Sequence, residues 1–344
     1  MFAFLAEHRG RLFPAGMFAD MYPSANGRPS MPPQILAAAI TLQALHGLSD
    51  FATVLELRCD LRWKAACGLG LHDTAFDSSL LAYFRRRLSR STRPHRVFEA
   101  VREVVKATGV LKGRHRRALD STGLDDAVAT QDTVTQIVSA VRAVIREVPG
   151  AEDEPVDAFG DTAYSTGPTH QALQHAGHRG FLKPAPLKTA VPGGFGLDDF
   201  AIDTAASTVT CPAGRTVPLS DPSGHKMQRK ALFTGQCTGC PLRERCSTAK
   251  AGRIVTIRPH HDLLAASRRA ATDPDWQAAY RRWRPPVERA VAWLVAHGNR
   301  RLRHTGTIKN NAWLHTRTAA LNLRILINLG LHHNGTTWHI RATA

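Results

Sequence analysis

Val156-Asp157-Ala158-Phe159-Gly160-Asp161 is a short apolar run that ends on a glycine and an acid. Val156 to Phe159 reads as a β-strand bounded by Pro155 and Gly160. Thr169 to His175 then reads as a helix and Gly180-Phe181-Leu182 as a second strand, which makes a strand, helix, strand unit of an α/β sheet. The C-terminal ends of such strands are where an α/β sheet places ligand-binding groups, and Asp161 occupies one. Upstream, Arg117-Ala118-Leu119-Asp120 is a second short run closing on an acid. Between the two lies one helical stripe of Ile137, Val141, Val144, Ile145 and Val148, stopped by Pro149, Gly150 and the acidic Glu152-Asp153-Glu154.

Toward the N-terminus the pattern is helical. Ile35, Ala38, Ala39, Leu42 and Leu45 recur at helical spacing between Pro32 and Leu48, and further helical patterns cover about 51–57, 79–88 and 95–108. Residues 1–110 are therefore expected to form a helical domain and 111–192 the first part of an α/β core. Residues 193–260 change character: Phe200-Ala201-Ile202, Thr208-Val209-Thr210 and Ile254-Val255-Thr256-Ile257 are short β-like runs separated by Gly, Pro and Ser, which reads as a small β-rich insertion. Residues 261–344 return to helix. After Pro285-Pro286, Val287, Val291, Leu294 and Val295 predict a helix that begins with the prolines in its first turn, and a last helix is expected over about 311–331. The fold class expected is α+β.

Lysine and arginine number 45 against 28 acidic residues, a formal net charge of +17 with a pI near 10.4. That balance points to a polyanionic partner. No run approaches the roughly 20 apolar residues of a spanning helix, and the first ten residues lack a secretory pattern. A soluble, cytoplasmic chain is expected, and six cysteines are too few for a disulfide scaffold.

Among 28 acids many triples exist, so the words around them matter more than the acids. Leu119-Asp120-Ser121-Thr122-Gly123, Phe159-Gly160-Asp161-Thr162-Ala163-Tyr164 and Tyr280-Arg281-Arg282-Trp283-Arg284-Pro285-Pro286-Val287-Glu288-Arg289 each resemble the segment around one acid of the insertion-sequence DDE transposases. The resemblance continues through Gly298-Asn299-Arg300-Arg301-Leu302-Arg303-His304-Thr305-Gly306 and Ala320-Leu321-Asn322-Leu323-Arg324. It also covers Gly27-Arg28-Pro29, Gly47-Leu48-Ser49-Asp50 and Phe84-Arg85-Arg86-Arg87-Leu88, which look like that family's helical N-terminal domain.

The resemblance implies a ribonuclease H-like catalytic core, with Asp120 on the first strand, Asp161 after the fourth and Glu288 on a late helix. It implies catalytic Asp120, Asp161 and Glu288 that bind Mg2+ or Mn2+, double-stranded DNA as partner (terminal repeats and target), a homo-oligomer and a place at the bacterial nucleoid. In the family two antiparallel strands separate the first two acids, and no alternating pair is legible between 120 and 161. A copy internally shortened by two strands is therefore expected, with the first strand at a sheet edge.

Each motif has a plainer reading. Asp120 and Asp161 could be turn residues, Asp125 and Asp126 are read as loop acids, and Glu288 in a first helical turn would be favoured by the helix dipole alone. Arg281, Arg282, Arg284, Arg289, Arg300, Arg301, Arg303 and Lys309 crowd around Glu288 and are read as phosphate-binding. Arg85-Arg86-Arg87 is either the same or a surface helix edge. Cys211 with Cys237-x2-Cys240-x5-Cys246 supplies the ligand count of a structural Zn2+ site, the alternative being reduced cysteines packed as small hydrophobes. Cys59 and Cys67 are read as core, and His260-His261 and His332-His333 as neutral or structural. Two further readings stay open: a catalytically defective remnant that only binds DNA, and a zinc-dependent nucleic-acid-binding regulator in which the acids are incidental.

Overall fold

A computed structural model describes residues 1–22, 30–112, 116–118, 155–296, 299, 304 and 307–341. Its helices and sheets confirm the α+β class. In chain order the N-terminal helices are α1 (Phe2–Leu12), α2 (Pro33–His46), α3 (Asp50–Cys59), α4 (Leu61–Cys67), α5 (Ser79–Arg90) and α6 (Arg96–Thr108). Strands β1 (Arg116–Ala118) and β2 (Asp157–Gly160) follow, then α7 (Gly167–His175) and β3 (Arg179–Leu182). The β-rich stretch holds β4 (Ala201–Asp203), β5 (Thr208–Thr210), β6 (Thr216–Pro218), β7 (Arg229–Leu232), the short α8 (Arg243–Cys246) and β8 (Ile254–Ile257). The chain closes with α9 (His261–Ala270), α10 (Pro274–Val295), α11 (Thr307–Asn328), β9 (Leu331–His333) and β10 (Trp338–Ile340).

The chain divides into two compact units. One groups Met1–Arg114 with Glu288–Ala344, the other His115–Asp120 with Thr133–Val287. The division falls inside α10 and so cuts the segment 261–344 read from the sequence, while 193–260 lies wholly within the second unit.

In the first unit α2 is apolar on nearly every side and is buried accordingly: Leu36, Ala37, Ala38, Ala39, Ile40 and Leu42 are at most 2% exposed. Each buried leucine or isoleucine of this kind stabilises the unit by about 1.5–3 kcal/mol. Gly47 ends the helix at φ 69°, the left-handed turn that glycine adopts without strain. Helix α11 packs on α2 and α6, and its buried Arg317 donates to the carbonyls of Trp293 (3.0 Å), Leu294 (3.2 Å) and Ala44 (3.2 Å). The first two are carbonyls of the last turn of α10, which have no partner within that helix. Near α6, the nearly fully buried Arg96 is paired with Asp20 at 2.5 Å.

One expectation about this unit is corrected. Cys67 is buried, and burial pushes its thiol up to about 12, but Cys59 is exposed on the last residue of α3. Arg85 pairs with Asp50 at 2.5 Å and Arg87 donates to the Met21 carbonyl at 2.6 Å, so these two arginines are tied into the helical unit. The hairpin of β9 and β10 was not legible in sequence; His332 faces His339 across it.

In the second unit β1, β2 and β3 form a parallel sheet with β2 in the middle. Ala158 and Phe159 are buried, and the rings of Phe159 and Phe181 stack at 4.6 Å across the β2–β3 pair. The β-rich stretch buries Phe200, Val209, Val217, Phe233, Val255 and Ile257 in a core of its own. The helical stripe of 137–148 and the expected loss of two strands lie outside the described residues. Among the described residues no single helix is long and apolar enough to cross a membrane.

Candidate functional site

Strand β2 delivers Asp161 to its C-terminal end, and the local sequence fixes how. A Cβ on Gly160 would lie 2.8 Å from Leu182 Cδ2 and 3.0 Å from Tyr164 Cβ, so the glycine lets the chain pass closely between β3 and the turn that follows. The Asp161 carbonyl then accepts from Tyr164 N (3.1 Å), while its Oδ1 accepts from Ala163 N (2.9 Å). This is the turn an aspartate favours, and it holds one carboxylate oxygen toward the backbone. The other oxygen, Oδ2, stands 3.7 Å from Arg284 Nη2, with the carboxylate 39% exposed and the arginine side chain 3% exposed.

Arg284 comes from α10, and so do two further contacts with the sheet. Tyr280 donates to the Gly160 carbonyl at 3.2 Å. Trp276 stacks on Tyr280 at 5.1 Å and on Phe181 at 5.9 Å. Residues 276, 280 and 284 are four apart and therefore share one helix face. That face seats α10 against the end of β2.

Helix α10 overturns the expected start after Pro285-Pro286, because both prolines lie inside a continuous helix. An interior proline removes a backbone donor and crowds the carbonyl four residues back, at about 3 kcal/mol each. The contacts of Trp276, Tyr280 and Arg284 with the sheet offset that cost on the N-terminal side, and Arg317 holds the C-terminal turn. Glu288 is consequently an exposed mid-helix residue rather than a first-turn one. The helix dipole no longer accounts for it.

The arginine cluster also divides. Arg281 and Arg282 are exposed, and Arg282 lies over the Trp283 ring at 4.8 Å with Arg116 at 4.6 Å. Arg289 and Lys309 are exposed in the other unit. Arg284 is 2% exposed against Asp161, so it is not a surface phosphate contact as its neighbours in sequence led us to expect. Asp120, Arg300, Arg301 and Arg303 lie outside the described residues, as do Asp125 and Asp126. Trp276 and Tyr280 were missed as site residues; their signal was the four-residue spacing with Arg284, which a helix starting at residue 286 cuts off.

Sequence families decide what this setting belongs to. Residues 210–327 match the family model described as Transposase DDE domain, and residues 7–87 match one described as Transposase domain. The chain belongs to the DDE transposases. The DDE-domain match in this transposase contains Glu288 and the four late cysteines but begins after Asp161. No curated protein and no solved structure matches the chain. Transposases act on DNA, in keeping with the net charge of +17.

Among the described residues no three His, Cys, Asp or Glu side chains stand together closely enough to hold an ion as they are. This applies to the zinc set as well: Cys211, Cys237, Cys240 and Cys246 line one cavity without meeting at ligating distance. His260, with φ 59°, packs where a Cβ on Gly167 would meet it, a structural role.

Proposed function

We propose that this transposase binds the terminal repeats of a mobile element and catalyses metal-dependent DNA strand cleavage and strand transfer. Asp120, Asp161 and Glu288 are the metal ligands in this reading. The observation that carries it is the setting of Asp161: a carboxylate at the end of the middle strand of a parallel sheet, oriented by a backbone amide and a buried arginine, with room left for solvent. Strand order supports a ribonuclease H-like core, since β1 lies beside β2 in parallel. The register sets Ala118 opposite Phe159, and Asp120 and Asp161 each follow two residues later in sequence.

The donor set fits the cation. Carboxylate oxygens are hard ligands, and Mg2+ or Mn2+ keeps several of its waters, so three acids suffice. When bound, such a pair of ions activates the attacking oxygen and stabilises the leaving one. The chain's own work is positioning. Arg284 holds Asp161 in place, and the exposed Arg281, Arg282, Arg289 and Lys309, with Arg300, Arg301 and Arg303, neutralise DNA phosphates irrespective of sequence. Water is the first nucleophile and the freed 3′-hydroxyl the second. Joining two ends calls for a homo-oligomer, and the reaction belongs to the bacterial cytoplasm at the nucleoid.

The test is an end-labelled duplex carrying the element's terminus, incubated with the protein with and without Mg2+. Nicking that depends on the cation supports the reading. DNA retained but never cut, in Mg2+ and in Mn2+ alike, rejects it in favour of a binding remnant.

A further inference from the structure

The β-rich stretch of the second unit gathers four thiols that the DNA chemistry does not use. Cys211 opens the tight turn between β5 and β6, where Gly214 N donates to its carbonyl at 2.8 Å and its own amide donates to Arg215 O at 2.9 Å. Cys237 and Cys240 open and close the turn that follows β7, with Gly239 between them at φ 70°. Cys246 ends the short α8. Three separate elements thus bring their ends to one place. The four side chains share the wall of a cavity of about 20 Å³, room for a single water-sized occupant and too little for an organic ligand.

We propose that these four cysteines bind one structural zinc ion. Zinc in structural sites takes four ligands and favours thiolates, and the Cys-x2-Cys turn with a left-handed glycine gives two ligands from one bend. The backbone supports the sulfur with a hydrogen bond of the kind that steadies metal ligands: Arg253 N donates to Cys237 Sγ at 3.4 Å. Gly252 makes that approach feasible, since a Cβ there would lie 2.7 Å from Phe233 O and 3.4 Å from Cys237 Sγ. Arg243 and Arg253 line the same cavity and offset the charge that four thiolates bring.

All four thiols are free rather than paired in disulfides, and a change of χ1 rotamer moves a cysteine sulfur inward with its backbone unmoved. The need for an ion is plain from size. Eight buried apolar residues form the local core, fewer than a free-standing β-module can usually rely on without a staple. The proposal is independent of the cleavage chemistry and stands or falls separately from it.

Full-length protein, purified without chelator or histidine tag, is expected to carry about one zinc per chain. Cys211, Cys237, Cys240 and Cys246 should resist alkylation until a chelator strips the metal, while Cys59 reacts at once. The Cys237→Ser/Cys240→Ser double variant should lose zinc about tenfold or more, and Cys59→Ser should keep it. Should the double variant fail to fold, cobalt exchange into the wild-type chain reads the same site, through the thiolate-to-cobalt charge-transfer absorption. Zinc far below one per chain, zinc retained by the double variant, equal alkylation with and without chelator, or cobalt uptake lacking that absorption would each overturn the proposal.

Discussion

Arg284 Nη2 stands 3.7 Å from Asp161 Oδ2, and the arginine is almost fully buried while the carboxylate is not. A charge-assisted hydrogen bond of full strength is nearer 2.7–2.9 Å. At the longer distance Arg284 orients the carboxylate without occupying it, so the oxygen keeps its capacity to bind a cation. A buried guanidinium needs the acid in turn, because an uncompensated charge inside a protein is costly.

Arg284→Ala and Arg284→Lys should both slow DNA cleavage, by roughly 10²-fold, which is what a misplacement of about 1 Å at a reacting group costs. Lysine keeps the charge but not the planar fork, so it should rescue only in part. Retention of the DNA in a gel shift should change little, because Arg284 is buried away from the surface. Equal loss of binding and cleavage would assign Arg284 to phosphate contact.

Gly160→Ala should destabilise the second unit by about 1–3 kcal/mol, the usual cost of overpacking. The added Cβ would have Leu182 Cδ2 at 2.8 Å and Tyr164 Cβ at 3.0 Å, so these side chains beside Asp161 must shift to admit it. A lowered thermal midpoint together with weaker cleavage is expected. An unchanged midpoint would mean that β3 has slack the packing does not indicate.

Hydrogen bonds from Arg96 hold the Asp20 carboxyl well below the usual carboxylate range, against the opposing effect of burial. A folded-state value lowered in this way contributes stability that is fully present above 3.8, the group's ordinary value, and is lost as pH falls toward the folded-state value. Thermal midpoints of wild type and Asp20→Asn should therefore differ near neutral pH and converge in acid. A difference that stays constant through the acid range would contradict this.

The strand, helix, strand unit over residues 157–182 was legible because each piece is short, apolar and punctuated by glycine or proline. Helix α2 was legible from its spacing, although the stripe understated its burial, which extends all round. What sequence concealed was decided by tertiary contact. Pro285 and Pro286 read as a helix start, and only the seating of Trp276, Tyr280 and Arg284 on the sheet explains why the helix runs through them. Arg284 read as one of a cluster, since charge patterning does not tell a solvated arginine from one turned inward to an acid. The four cysteines were legible as a set from their spacing, but the elements that carry them to one cavity, the β5–β6 turn, the turn after β7 and α8, were not.

The most direct measurement is single-turnover cleavage of a terminal-repeat duplex in Mg2+ by wild type and by Asp161→Asn, with the unfolding midpoint and gel shift as controls. The substitution keeps shape and the contact with Ala163 N but removes the charge. Cleavage lower by about 10²-fold or more, with folding and DNA binding retained, is the outcome this account predicts. Cleavage by Asp161→Asn at the wild-type rate would contradict it.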